Sequence, residues 1–100
     1  MKIVWTKSAL HSWQEIAHYI CDSFGTQTLL DFQRKTSEWE VTIASMPHIG
    51  HREPLNQEAD KDYRSVIVHK YSKMVYSLDK DTIKILAFWD TRREPKEQID

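Results

Sequence analysis

Residues 63–89 read YRSVIVHKYSKMVYSLDKDTIKILAFW, and the fold is decided there. Three runs rich in β-branched and aromatic residues follow one another: Tyr63–His69, Tyr71–Leu78 and Thr82–Trp89. Such runs, parted by short polar links, predict strands. Asp79-Lys80-Asp81 predicts a hairpin between the last two. His69-Lys70 predicts an equally tight turn, so that all three form an antiparallel meander. Alternation in the last run sets Ile83, Ile85, Ala87 and Trp89 on one face and Lys84, Leu86, Phe88 and Asp90 on the other. The first set is expected to pack inward. The second is expected on an open face, where Leu86 and Phe88 beside Lys84 make an apolar patch of the kind that meets a protein partner.

Upstream of these runs the periodicity changes. Lys2–Trp5, KIVW, predicts a short strand, and Thr6 is a plausible N-cap. From Lys7 to Phe24 the apolar positions Leu10, Trp13, Ala17, Ile20 and Phe24 recur every three or four residues, the stripe of an amphipathic helix. Gly25 suits the left-handed position that ends such a helix. Thr26 or Thr28 can cap a second one, with Leu29, Phe32, Trp39, Ile43 and Met46 on one face, Thr36 in register and Pro47 as the stop. Trp5, Trp13 and Trp39 are expected in the core. Residues 47–62, PHIGHREPLNQEADKD, hold two of the three prolines and one of the two glycines, and are expected to be irregular. The order β-α-α-β-β-β predicts an α+β domain with a small antiparallel sheet packed on a helical hairpin. One domain over residues 1–95 and a polar tail over 96–100 are expected. With so short a chain, the far face of the sheet is expected to stay uncovered.

Composition excludes several classes. One hundred residues with 29 % charged and 40 % hydrophobic side chains suit one ordered domain with a thin core. No apolar run approaches the ~20 residues that span a bilayer, and the opening MKIVWTKSAL has no signal-peptide core. No membrane partner is expected. The single cysteine, Cys21, rules out an internal disulfide and a thiolate zinc site, and a cytoplasmic setting is expected. No metal and no cofactor are expected. Net charge is -1, which argues against a general nucleic-acid coat. Yet Tyr63 to Leu78 carries Arg64, Lys70, Lys73 and His69 with no acid, and Arg92 and Arg93 follow. A cationic stripe on a neutral chain points to one anionic partner site.

Taken in order, IVWTKSAL, LHSWQEIAHYI, Pro47-x-x-Gly50, YRSVIVHKYSKMVYSL and TIKILAFWDTRREP resemble the RelE/ParE superfamily, the toxins of type II toxin–antitoxin modules, often labelled plasmid stabilization proteins. The resemblance runs from about Ile3 to Pro95. It implies the α+β fold already read, and a cognate antitoxin, acidic and partly disordered, that neutralises the chain. The antitoxin is expected to use Leu86, Phe88 and Lys84.

It also implies one of two activities. RelE-like members cleave messenger RNA on the ribosome; ParE-like members block DNA gyrase without chemistry. Metal-free RNA cleavage needs fixed cations at the phosphate and a group that moves a proton. On that reading Arg64, Arg93, Tyr71 and His69 are the catalytic candidates, with Lys70 and Arg92 holding RNA and Trp89 stacking on a base. RNA cleavage is the first expectation and gyrase inhibition the alternative, with an inactive, divergent member third. The near-neutral charge, the lone Lys61 before Tyr63 and the ending FWDTRREP all favour the alternative.

Overall fold

The computed structural model describes residues 1–54, 61–70 and 72–92. Along the chain come β1 (Lys2–Trp5), α1 (Lys7–Phe24), α2 (Thr26–Ser45), β2 (His51–Arg52), β3 (Asp62–His69), β4 (Ser72–Asp79) and β5 (Thr82–Asp90). The sheet order is β1-β5-β4-β3-β2. The meander is present, with two antiparallel hairpins. β1 joins β5 in parallel, so the sheet is mixed. β2 is a two-residue strand inside a stretch expected to be irregular; it pairs with Arg64 and Ser65.

Local sequence sets the helix ends. The Thr6 hydroxyl accepts from Ala9 N at 3.0 Å and donates to Ile85 O at 3.0 Å, which caps α1 and ties it to β5 in one residue. Gly25 takes φ 93°, and its N–H closes on Cys21 O at 2.9 Å. The expected threonine cap of α2 is absent: the helix begins at Thr26 directly after Gly25, with no side-chain cap. Leu10, Phe24 and Met46, placed on the inward stripes by their spacing, are about half exposed, while Ala9 is fully buried.

The core is aromatic. Trp5 stacks on Phe88 at 5.2 Å and Trp13 on Phe32 at 5.3 Å, and Phe32 meets Phe88 edge-on. The three core tryptophans are partly buried, and each indole N–H reaches an acceptor within the protein. Trp5 donates to Glu40, Trp13 to the Thr36 hydroxyl and Trp39 to Ile67 O.

Phe88 corrects the period-two reading of β5. Val75 pairs with Ala87 but Tyr76 pairs with Ile85, so Leu86 is an extra residue. This bulge reverses the parity of everything after it. Ile83 and Ile85 face the helices, and so does Phe88, which is 3 % exposed. Ala87 and Trp89 turn to the other face, where Trp89 lies over Lys73 Nζ at 5.2 Å. Phe88 therefore belongs to no open patch. The far face is not bare either. Ser65, Lys73, Val75 and Ser77 are all buried on it, and long side chains cross it: Lys73 Nζ reaches Glu53 at 2.8 Å, and the Ser65 hydroxyl reaches the same carboxylate at 2.6 Å.

Truncating a ring so deeply packed should cost about 3–5 kcal/mol. Phe88→Ala is expected to lower the unfolding free energy by that amount, through a lower urea midpoint at unchanged slope, while Lys84→Ala, exposed on the same strand, changes it by less than about 0.5 kcal/mol. Equal effects from the two would contradict the bulged register.

Candidate functional site

A second bulge shapes the other end of the sheet. Ile67 pairs with Lys73 and His69 with Ser72, leaving Val68 as the extra residue. His69 consequently turns toward the helices, with its ring edge-on to Phe32 at 6.1 Å. Ser72 pairs in turn with Asp90. The two bulges thus align His69, Ser72 and Asp90 in one row on the helix side.

That row closes one end of a cleft of about 700 Å³ between α1 and the ends of β3, β4 and β5. Ile16, Ile20, Phe24 and Phe88 give it an apolar lining. Lys70, Arg92, Asp90 and Glu15 stand at its polar edges. Arg92 is held by both oxygens of Asp90, at 3.2 and 3.0 Å, and by the Tyr19 hydroxyl at 3.3 Å. The guanidinium also lies over the Tyr19 ring at 5.4 Å. These contacts raise the Arg92 pKa, the bond to Asp90 most, and the bond from Arg92 lowers that of the Tyr19 phenol. Burial, then Lys35 and Lys70 against an opposing Asp31, keep the His69 imidazole below its ordinary value and hence neutral at pH 7.

Arg64 sits elsewhere. Its side chain is 15 % exposed. Nε donates to Asp62 at 3.1 Å, and one terminal nitrogen donates to His48 O at 2.9 Å and Gly50 O at 3.0 Å. Tyr76, beside it in the ladder, donates its hydroxyl to Pro47 O at 2.8 Å and accepts from Gly50 N at 3.0 Å. Burial pushes the Tyr76 phenol up, against the bond from Gly50. Together the two side chains clamp the Pro47–Gly50 turn onto the sheet. Gly50 must be glycine for this: a Cβ there would come within 2.5 Å of the Tyr76 hydroxyl. A few residues on, burial opposes ionisation of Glu53, but the hydrogen bonds from Lys73 and Ser65 outweigh it and hold the carboxyl below its usual range.

Of the residues nominated from sequence, His69, Lys70, Arg92 and Phe88 line the cleft. Trp89 and Lys84 point to the far face, and Leu86 is the bulge residue. Arg64 is in the clamp. Tyr71 and Arg93 lie outside the described residues. Sequence reasoning overlooked Ser72, Tyr19 and Asp90. Ser72 was within reach, since it shares the parity of Met74 and Tyr76 in SKMVYSL. Among the described residues no three His, Cys, Asp or Glu side chains are grouped to hold a metal ion, and no helix is long and apolar enough to cross a membrane.

Comparison with known proteins agrees with this architecture. The profile of the ParE toxin of the type II toxin–antitoxin system parDE matches residues 3–95. The chain is similar to one from the chromosomal ParDE toxin–antitoxin system of P. aeruginosa, with a TM-score of 0.68 and 16 % identity over 88 % of this chain and 92 % of that one. It is also similar to the YoeB dimer from Staphylococcus aureus, with a TM-score of 0.56 and 21 % identity over 87 % and 92 % of the two chains. At such identities these likenesses are of fold. No curated protein matches.

Tyr76→Phe removes both hydroxyl contacts to the turn and should cost about 1–3 kcal/mol, read from denaturant unfolding. Gly50→Ala should cost a similar amount and leave Tyr76→Phe with little further effect, because both break one clamp. Additive losses would deny the coupling. His69 makes a separate prediction. The folded state binds its proton less readily than the unfolded chain, so stability falls as the pH drops below about 6.5. His69→Asn should flatten the urea midpoint between about pH 7.5 and 5.5; an unchanged slope would remove His69 as its source.

Proposed function

The chain belongs to the ParE toxin family of type II toxin–antitoxin systems, and from that premise we propose that it poisons by binding a protein target, DNA gyrase, without cutting RNA, and that a cognate antitoxin neutralises it. The fate of Arg64 carries this reading. Cleaving RNA without metal asks for several cations around one phosphate, to offset the charge of the transition state. Arg64 already gives its guanidinium to two backbone carbonyls and Asp62. It also lies four ladder rows from the Ser72–Asp90 row that leads to Arg92, roughly 13 Å at the rise of a strand. Arg92 in its turn is matched by Asp90. The net charge of -1 supports the same view, since it supplies no long-range pull toward the ribosome.

One observation favours the RNA-cleaving alternative: His69, Lys70 and Arg92 share a cleft. On that reading neutral His69 is the proton acceptor and the two cations bind phosphate. Two assays on the purified chain separate the readings. Gyrase inhibition predicts loss of supercoiling near stoichiometric toxin, with message intact in cell-free translation. Codon-dependent cleavage of ribosome-bound message, with gyrase unaffected, would overturn the proposal. A companion variant, Arg64→Gln, should lower the melting temperature by several degrees, as a clamp residue does. If the fold keeps its full stability while toxicity disappears, Arg64 acts on a target instead.

A further inference from the structure

We propose that the cleft between α1 and the ends of β3–β5 binds a small, uncharged aromatic carboxamide, its amide edge bridging the Ser72 hydroxyl and the His69 imidazole and its ring lying among Ile16, Ile20 and Phe88. The proposal does not rest on which target the toxin poisons.

Two polar side chains at the inner end have hydrogen bonds to spare. Ser72 is 4 % exposed and lines the cleft, and its hydroxyl has no hydrogen-bond partner among the described residues. The half-buried His69 imidazole lines the cleft too, and neither ring nitrogen has such a partner. Ser77 is as buried as Ser72 and also lacks a partner, but it lies on the far face of the sheet, which this cleft does not reach. A buried hydroxyl alone is therefore not the signal. What sets Ser72 apart is that it opens on a cavity, beside a second group that is unspent. The other hydroxyls along the cleft are used locally: Ser12 donates to Ala9 O and accepts from Phe88 N, and Thr28 donates to Phe24 O.

The ladder brings the two groups together. His69 and Ser72 are direct partners in the β3–β4 pairing, which sets their Cβ atoms about 5 Å apart on one face. A neutral imidazole carries one donor and one acceptor, and a serine hydroxyl can do either. A planar carboxamide presents an N–H and a C=O side by side, so it can meet both. Charge argues for a neutral guest. The charged side chains at the edges of the cleft are of both signs, Lys70 and Arg92 with Glu15 and Asp90, and His69 is held neutral by burial. An ion at the inner end would lose hydration with no counter-charge waiting for it. The walls argue for a ring. Ile16, Ile20 and Phe88 line the cleft, while Tyr19 and Phe24 meet edge-on at its mouth, 45 % and 55 % exposed. A volume of about 700 Å³ is that of a small-molecule site.

The test titrates the full chain with indole-3-carboxamide and follows backbone amide shifts by NMR. The parent should bind with a dissociation constant below about 1 mM, with shifts centred on His69, Ser72 and α1. A weaker constant, or shifts centred elsewhere, overturns the proposal. Indole-3-carboxylate keeps the ring but carries a charge and no amide N–H; acetamide keeps the amide but has no ring. Each should bind at least about fivefold more weakly than the carboxamide. Ser72→Ala should melt no lower than the parent and yet lose at least about fivefold in carboxamide affinity, a split that a merely structural serine would not produce. A smaller loss in any of these comparisons overturns the proposal, since the apolar walls or the amide would then act alone. The probe comparisons use the parent chain, so they decide the matter even where the variant fails to fold.

Discussion

Two extra residues, Val68 in β3 and Leu86 in β5, hold the structure in its observed form. Side chains alternate along a strand with a period of two, so one inserted residue exchanges the two faces for everything beyond it. At Leu86 the exchange carries Phe88 into the core, where it meets Trp5 from β1 and Phe32 from α2. Three elements, β1, β5 and α2, meet at that one ring. At Val68 the exchange carries His69 inward beside Ser72. The cleft exists because both exchanges happen at the same end of the sheet.

Polar groups inside so small a core are handled with few exceptions. Each core tryptophan reaches an acceptor, and Thr36 serves as donor and acceptor at once. On the far face Lys73 and Glu53 are both buried, and each satisfies the other, with Ser65 and Trp89 closing the group. Removing either charge alone would strand its partner away from water, which is the expensive event in such a pair. This pair and the Arg64–Tyr76 clamp together fix residues 47–53 against the sheet. A stretch whose one large apolar residue, Ile49, stays exposed is thereby ordered by hydrogen bonds where burial could not order it.

The same accounting bears on function. Cations that serve as structural ties carry little charge to spare for a phosphate, and in this molecule Arg64 is tied by carbonyls and Asp62 and Arg92 by Asp90. The cleft, by contrast, keeps aromatic surface open to solvent at Tyr19 and Phe24. Family membership makes the chain a toxin of the type II toxin–antitoxin class.

The element order, the helix registers around Trp13, Ile20, Phe32 and Ile43, the Thr6 cap and the Gly25 break were all legible in the sequence, because they depend on contacts within a few residues. So were the α+β class and the family, which rest on order along the chain. The faces of Phe88, Trp89 and His69 were not. A bulge shows no composition of its own; it is imposed when a strand of fixed length must match partners on both sides, and only the assembled sheet contains that condition. The roles of Arg64 and Ser72 were hidden for the same reason. A sequence states that a guanidinium or a hydroxyl is present, but which acceptor it meets, and whether it meets one at all, is settled by residues far away in the chain that folding brings alongside.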